Sequence, residues 1–247
     1  AFYSCQNLKS ILVESNHQML TSVDGILFSK NLDTLLCFPS NHIFSTYKIP
    51  TSVTSIGNYA FSNCRNLKSI IIPTNVTSIG DFSFSRCSAL CSITIPSSIT
   101  RIGESALSDC RNLESILVES SNQKFTSVDG ILFSKNLDTL LCFPSNHRFT
   151  TYDIPPSITS IGQSAFSYCR NLQSVAIPPG VTLIGDFAFS ACCALCSITI
   201  PTSVASIGNY AFCSCNNLQS ITIPIGVTSI GNSAFSNCEN LQSIVLP

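Results

Sequence analysis

Charge is scarce in this chain: Asp, Glu, Lys and Arg make up only 10% of its 247 residues, and the net charge is −1. Such a surface does not attract nucleic acid or an anionic membrane, so we expect neither as a partner. Apolar runs are far shorter than the roughly 20 residues of a membrane-spanning helix. We therefore expect no direct membrane insertion in this segment. The N-terminus also lacks a signal-peptide pattern, so we expect any export signal to lie outside this stretch.

Motifs of catalysis and of nucleotide or metal binding are missing. The sequence has no G-x-S-x-G elbow, no Walker loop, no G-x-G-x-x-G and no H-E-x-x-H. Its 14 cysteines lack the paired spacing of a zinc finger or ribbon. We therefore expect no enzyme activity, no metal and no cofactor.

What the chain has in abundance is repetition. Its glycines recur every 23 residues in two series, which are Gly57, Gly80 and Gly103, and Gly162, Gly185, Gly208 and Gly231. A fixed period of 20–50 residues is typical of a solenoid, in which each unit buries its apolar face only against its neighbours. The spacing therefore predicts a solenoid rather than a globular core.

The repeat units are marked by a cysteine that follows an Ala-Phe-type pair. Eight such cysteines define eight units: Cys5, Cys64, Cys87, Cys110, Cys169, Cys192, Cys215 and Cys238. Two units, around residues 5–63 and 110–168, carry a 36-residue insertion, and Thr21–His42 recurs letter for letter as Thr126–His147. We expect one continuous solenoid domain over residues 1–247. Neither end carries a polar capping unit, so we expect the chain to be part of a longer protein.

One unit, Val53–Pro73, predicts how each coil folds. Alternate side chains of an extended segment take opposite faces, so Ile70 and Ile72 point inward. We expect Gly57 to form a tight turn with positive φ. Asn58–Cys64 is too short for an independent helix and is interpreted as one helical or 3₁₀ turn.

Two columns of apolar residues follow from stacking the units. The phenylalanines are expected to form a buried aromatic stack, with Phe2 as an earlier member and Leu107 as an interruption: Phe61, Phe84, Phe166, Phe189, Phe212 and Phe235. Isoleucines form the other column: Ile56, Ile79, Ile102, Ile161, Ile184, Ile207 and Ile230.

These residues spell V-x-x-I-G-x-x-A-F-x-x-C-x-x-L-x-x-I-x-I-P, which Val53–Pro73 and Val204–Pro224 match at every position. The pattern resembles the BspA-like, treponemal-type leucine-rich repeats. The resemblance implies an α/β-type leucine-rich-repeat solenoid, mostly β with short helical or 3₁₀ turns, that is right-handed and curved with a parallel sheet on its concave side. It also implies a surface or secreted protein that acts in adhesion, co-aggregation or host-protein binding.

The two insertions are predicted to form β-hairpins. In the first, Ser22–Phe28 and Thr34–Phe38 flank a polar loop, and Val128–Phe143 repeats the arrangement. Insertions in repeat proteins often line a binding face. Candidate contacts are therefore Lys30, Asp33, Lys135 and Asp138. The alternative is that the hairpins only pack on the coil and widen the sheet.

The cysteines and histidines are interpreted as residues without a catalytic or metal-binding role. The eight marker cysteines are expected to form a buried column of free thiols, although Cys87 with Cys91 or Cys192 with Cys196 could meet within a unit. His17, His42 and His147 are expected to be solvated loop residues. Asn75-Val76-Thr77 is a single glycosylation sequon.

The outward positions of the concave strands are the main candidate site. They combine a serine column with a mixed apolar and threonine column, and the candidate ligand-binding residues are Ser69, Ile71, Ser92, Thr94, Leu117, Ser197, Thr199, Ser220 and Thr222. This wide, nearly uncharged surface suits extended contact with a protein or glycan. The alternative is that serine and threonine simply tolerate a tightly stacked sheet.

Two functions follow. The first is a non-enzymatic cell-surface interaction or adhesion module that binds proteins or glycans of a host or neighbouring cell. The second is a structural spacer or component of a larger assembly, which could be intracellular.

Overall fold

The structure is a computed structural model that describes Phe2 and residues 5–247; Ala1, Tyr3 and Ser4, at the opening of the first repeat, lie outside the described residues. Its contacts divide the chain into two compact units, Ala1–Ser127 and Val128–Pro247. Both units are β-solenoids, and the described residues contain no helix. The predictions of one continuous domain and of right-handed curvature stay predictions.

The described residues of the first unit form ten complete strands, and the unit boundary falls within β11 (Phe125–Val128). The ten are β1 (Leu20–Val23), β2 (Ile26–Ser29), β3 (Thr34–Cys37), β4 (Thr46–Lys48), β5 (Ser55–Ile56), β6 (Ser69–Ile71), β7 (Ser78–Ile79), β8 (Ser92–Ile95), β9 (Arg101–Ile102) and β10 (Ser115–Val118).

The second unit repeats this plan and extends it by one coil. Its strands are β12 (Ile131–Ser134), β13 (Thr139–Cys142), β14 (Thr151–Asp153), β15 (Ser160–Ile161), β16 (Ser174–Ala176), β17 (Leu183–Ile184), β18 (Ser197–Thr199), β19 (Ser206–Ile207), β20 (Ser220–Thr222), β21 (Ser229–Ile230) and β22 (Ser243–Val245).

Each ordinary coil contributes two parallel strands. A short strand of two residues pairs with the short strand one coil later, as Ile56 does with Ile79 and Ile184 does with Ile207. A long strand of three or four residues lies after the marker cysteine and pairs in the same way, as in β8 with β10 and β16 with β18. Because successive coils stack in register, the backbone hydrogen bonds of these strands are made between coils rather than within one coil.

The segment between the two strands of a coil is not helical, and the predicted helical or 3₁₀ turn is wrong. Tyr59 and Asn63 have positive φ values of 61° and 62°, which interrupt any right-handed helix. The N–H groups of Tyr59, Phe61 and Asn63 instead donate to carbonyls of the next coil at 2.9, 2.7 and 2.9 Å. A third hydrogen-bonded row between coils thus replaces the hydrogen bonds that a helix would make internally.

The glycines that recur every 23 residues are required for a reason other than the predicted positive φ. Gly57 does not have positive φ, and among the described glycines only Gly25 and Gly130 do. A Cβ on Gly80 would lie 2.6 Å from the backbone N of Asn58 and from the carbonyl carbon of Gly57. Glycine is needed here because two backbones approach too closely for a side chain.

Each insertion forms strands that join the sheet of short strands. In the first unit β1 pairs antiparallel with β2 across a two-residue turn, in which Asp24 and Gly25 have φ values of 51° and 77°. Positive φ at both central residues is typical of the primed turns that join tight hairpins. β2 then pairs antiparallel with β3, and β3 pairs parallel with β5. The insertion is therefore a three-stranded meander that extends the sheet of short strands, and the contact role of its loops stays a prediction.

The predicted aromatic stack is present within each unit. Phe61 and Phe84 stack with their ring centroids 5.0 Å apart, and the Phe166, Phe189, Phe212 and Phe235 rings follow one another at 4.9, 5.2 and 5.3 Å. The insertions add members that the repeat pattern did not indicate, because Phe38 lies 5.2 Å from Phe61 and Phe143 lies 5.1 Å from Phe166. Phe2 is 42% exposed, so its predicted place in the buried stack is wrong.

The isoleucine column is buried at five of its seven positions, whereas Ile102 is half-buried and Ile230 is 43% exposed.

The marker cysteines form the predicted free thiols, and six of the eight are buried. Each buried thiol donates to a phenylalanine carbonyl of the preceding coil, as Cys87 Sγ does to Phe61 O at 3.0 Å and Cys192 Sγ to Phe166 O at 3.0 Å. Burial raises the pKa of Cys87, Cys110 and Cys192, so these side chains stay protonated donors. Cys5 is exposed and Cys238 half-buried, which departs from the prediction at the first and last members.

Candidate functional site

The outward surface of the long strands is built by simple alternation. Within β6 the Ile70 side chain is buried, whereas Ser69 and Ile71 on either side of it are exposed. β18 and β20 show the same exposed-buried-exposed pattern. All nine residues predicted on this surface are exposed: Ser69, Ile71, Ser92, Thr94, Leu117, Ser197, Thr199, Ser220 and Thr222. We call the outward residues of the long strands the long-strand face.

In the first unit the long-strand face pairs a hydroxyl column with a mixed column. Thr46 pairs with Ser69 and Ser92 with Ser115, while Lys48 pairs with Ile71 and Thr94 with Leu117. Ile71 and Leu117 are 56% and 52% exposed, which is high for aliphatic residues in regular strands. The sequence analysis did not place Lys48 on this surface, because its strand belongs to the insertion, where the 23-residue period is broken.

In the second unit the equivalent columns are less apolar and carry the opposite charge. Asp153 pairs with Ala176, and Ala176 pairs with Thr199. Asp153 occupies the position that Lys48 has in the first unit, 105 residues earlier. The long-strand faces of the two units therefore share serine but differ in charge and in apolar area.

Chemically, this surface offers many weak contacts. Serine and threonine hydroxyls both donate and accept hydrogen bonds, and the exposed aliphatic residues offer apolar area between them. A face of this kind can lie against another extended surface.

The four predicted contacts in the insertion loops are mostly engaged locally. Asp33 accepts hydrogen bonds from the hydroxyls of Ser29 at 2.7 Å and Thr34 at 2.9 Å, and Asp138 is held in the same way by Ser134 and Thr139. The serine hydroxyl lowers the pKa of each carboxyl, followed by the threonine. Lys30 donates to Ser15 O at 3.1 Å, and Lys135 is exposed. The aspartates hold the loops in shape.

Two of the three insertion histidines, His42 and His147, are buried, so the prediction of solvated loop residues is wrong for them, whereas His17 is exposed as predicted. His42 and His147 are 6% and 5% exposed. His42 Nδ1 accepts from the N–H of Phe44 at 3.2 Å, so its Nε2 carries the proton and donates to Asp24 O at 2.8 Å. His147 makes the same two bonds with Phe149 and Asp129. Both rings have a structural role, because their hydrogen bonds link the end of each insertion to its primed turn.

The glycosylation sequon is also used structurally. The Asn75 amide donates to Val53 O at 2.9 Å and to Thr51 O. The amide nitrogen is therefore occupied by the backbone of the preceding coil.

Phe2 and residues 5–247 contain neither a metal-binding cluster nor a helix able to span a membrane. No group of three or more His, Cys, Asp or Glu side chains there could hold a metal ion. None of these residues belongs to a helix with the length and apolarity that crossing a bilayer requires.

Comparison with known proteins gives consistent matches. A family model described as the BspA type leucine-rich repeat region, in six copies, matches residues 35–139 and 140–247. No curated protein matches the chain.

Several solved structures of bacterial proteins are similar. The pneumococcal vaccine antigen PcpA is 27% identical with a TM-score of 0.78, over 83% of this chain and 51% of that one. A leucine-rich cell surface protein of Faecalibacterium prausnitzii is 34% identical with a TM-score of 0.75, over 81% of this chain and 52% of that one. A leucine-rich repeat protein of Eubacterium ventriosum is 27% identical with a TM-score of 0.69, over 84% of this chain and 67% of that one.

The chain thus spans about half the length of the first two of these proteins. The repeat pattern, the coil geometry and the family match all agree. The chain belongs to the BspA-type leucine-rich repeat family.

Proposed function

We propose that this chain is a non-catalytic interaction module of a cell-surface or secreted protein, and that its long-strand face binds a protein or glycan of a host or neighbouring cell. The observation that carries the proposal is the exposed aliphatic and hydroxyl surface of the long strands, in which Ile71 and Leu117 are more than half exposed. Exposed aliphatic residues in regular register, set among hydroxyls, are typical of an interaction surface. The similarity to the Faecalibacterium prausnitzii cell surface protein supports the location.

The test replaces the apolar column of the first unit with charge. The triple variant Ile71→Asp, Thr94→Asp and Leu117→Asp changes only exposed side chains, so the coil should keep its core. Binding is measured on immobilised extracellular-matrix proteins and on a glycan array. We expect at least a tenfold loss of binding to whichever probe the unaltered chain binds, because three aspartates cannot be desolvated at an apolar contact.

The matched control places three aspartates outside the long strands. Asn66→Asp, Thr74→Asp and Asn112→Asp are also exposed and add the same charge. This control should bind as the unaltered chain does. Equal loss in both variants would mean that net charge matters and that the long-strand face is not the site.

A further inference from the structure

The long-strand face of the first unit carries opposite charges on its two flanks. Lys68 lies directly before β6, Cys91 directly before β8 and Glu114 directly before β10, at intervals of 23 residues. The N–H of Glu114 donates to Cys91 O at 2.8 Å, and β6 lies against β8 on the other side. Lys68 and Glu114 therefore flank Cys91 from opposite sides, and all three residues are exposed.

Neither of these charges is used within the chain. Among Phe2 and residues 5–247, the ion pairs join Asp81 and Asp109 to arginines, and they involve neither Lys68 nor Glu114. Neighbouring strands are about 4.8 Å apart, so the two charges lie about 10 Å from each other across β8. At that distance they are largely screened from each other at physiological ionic strength. Both charges are therefore available to another molecule.

The exposed aliphatic residues are arranged around the same strand. Thr94 in β8 pairs with Leu117 in β10, and Ile71 in β6 holds the equivalent position on the other side. Both aliphatic side chains are more than half exposed. Between the charged row and the aliphatic row, all three strands carry serine: Ser69, Ser92 and Ser115. We call the outward residues of β6, β8 and β10, with the residue before each strand, the three-strand patch.

The three-strand patch is complementary to itself. A two-fold axis parallel to the strands and over β8 lays β6 of one copy on β10 of another, face to face. Lys68 then meets Glu114 of the other copy, and this contact occurs twice. Ile71 likewise meets Leu117 of the other copy, while Cys91 meets its own equivalent at the axis. A two-fold axis along the solenoid would instead set the charges against aliphatic residues, so charge matching selects the first arrangement.

The second unit lacks this complementarity, although its strands are equivalent. The positions of the two charges hold Gln173 and Gln219, 105 residues later in the chain. The positions of the two aliphatic residues hold Ala176 and Thr222. The same two-fold axis would therefore bring together neither opposite charges nor two large aliphatic side chains in the second unit.

We propose that the first unit binds a second copy of this chain through the three-strand patch, as a reversible two-fold dimer. The contact uses only three strands of each copy, so it belongs with the small, transient interfaces rather than with those of permanent dimers. The dimer goes beyond the function proposed above and does not rest on it. Both use the long-strand face, so binding of other partners is compared at concentrations at which the chain is monomeric.

The test reverses each charge by itself and then both together. Sedimentation velocity follows the full chain from micromolar to millimolar concentration at low ionic strength, and we expect the unaltered chain to pass from monomer to dimer. Lys68→Glu and Glu114→Lys should each weaken the dimer about tenfold or more, because each change sets like charges opposite each other twice. The double variant exchanges the two charges and should restore the dimer affinity to within about threefold.

The matched control is Lys124→Glu, which reverses an exposed lysine of the first unit that lies outside the three-strand patch. It should dimerise as the unaltered chain does. Circular dichroism and the urea midpoint check that every variant is folded. A chain that stays monomeric at millimolar concentration, or a double variant that dimerises no better than the single variants, would overturn the proposal.

A second measurement uses the thiol at the two-fold axis. Sheets packed face to face lie about 10 Å apart, so a short bismaleimide should link Cys91 to the same residue of the other copy. Cys91→Ser should remove the cross-linked dimer, whereas Cys196→Ser, which removes the equivalent exposed thiol of the second unit, should not. Cross-linking of Cys91→Ser with the unaltered yield would place the contact elsewhere and would also overturn the proposal.

Discussion

The two units have nearly the same backbone but hold their coils together with different side chains. The first unit carries nine of the twelve Lys and Arg residues, and the second carries three. In the first unit Asp109 pairs with Arg111 at 2.8 Å and with Arg86 at 3.6 Å. The residues 105 positions later are Ser214, Asn216 and Ala191, so this cluster cannot form in the second unit.

The second unit instead has the longer aromatic stack. Its five phenylalanines run without interruption from Phe143 to Phe235, whereas Leu107 replaces the phenylalanine after Phe84 in the first unit. The same coil geometry can therefore be stabilised by two different sets of side chains. In the interior, each coil needs an apolar side chain of similar size at the same position. At the surface, neighbouring coils can be linked by ion pairs, amides or thiols.

The largest effect is expected from breaking the longer stack. Phe189 lies between Phe166 and Phe212 and is fully buried, so Phe189→Ala should lower the free energy of unfolding by about 3–5 kcal/mol. Phe189→Leu, which copies the interruption at Leu107, should cost less, about 1–3 kcal/mol. Urea denaturation of the full chain measures both. Equal stability of Phe189→Leu and the unaltered chain would show that the stack adds nothing beyond apolar volume.

A glycine exchange should have the next largest effect. A Cβ on Gly208 would lie 2.5 Å from the backbone N of Asp186, so Gly208→Ala must push two coils apart and should cost about 1–3 kcal/mol. Gly103→Ala tests the same approach in the first unit and should be as harmful. Thermal unfolding checks both. A harmless Gly208→Ala would contradict the close-approach explanation of the glycine column.

Asn75 and Gly180 are equivalent residues in the two units, so exchanging them tests one difference between the units by itself. A Cβ on Gly180 would lie 3.5 Å from Ile158 O and 3.7 Å from Pro156 O, the counterparts of the carbonyls that Asn75 bonds in the first unit. Gly180→Asn should therefore raise the free energy of unfolding by about 1 kcal/mol, and Asn75→Gly should lower it by a similar amount. Denaturant midpoints report both. Gly180→Ala is the control for the loss of chain flexibility alone.

The smallest expected effect concerns the insertion loops, where the units are alike. Hydrogen bonds from Ser134 and Thr139 hold the pKa of Asp138 below its usual range, so Ser134→Ala should raise that pKa. A depressed carboxyl pKa stabilises the fold fully above about pH 4 and stops doing so as the pH falls through the folded pKa. Ser134→Ala should thus lose stability at neutral pH and show a weaker fall in stability on acidification. NMR titration of Asp138 and of Asp33, with Ser29→Ala, measures the two pKa values, and an unchanged pKa would contradict the prediction.

Much of the candidate site followed from the sequence, and the failures have local causes. The alternation in Ser69–Ile71 placed those side chains outward because strand residues always alternate. Lys48 and Asp153 were missed since their strands lie in insertions that break the 23-residue register. The stacked rings of Tyr59 and Phe82 were missed because Asn58–Cys64 was assigned to a helical turn, although the recurrence of Tyr or Phe two residues after Gly57, Gly80, Gly185 and Gly208 was visible in the sequence.

The 23-residue period could be read without a structure, and it predicts both the stacking of coils and the identity of the buried columns. Residues repeated every 23 positions must face the same neighbours in every coil. The reason that glycine is required, and the pairing of the turn segments, became visible only in the folded chain. Both depend on distances between coils, such as the 2.6 Å that a Cβ on Gly80 would leave to Asn58 N, and no spacing within one chain segment encodes such a distance. The structure likewise buried His42 and His147, because their hydrogen-bond partners are brought to them by strands that the repeat pattern does not describe.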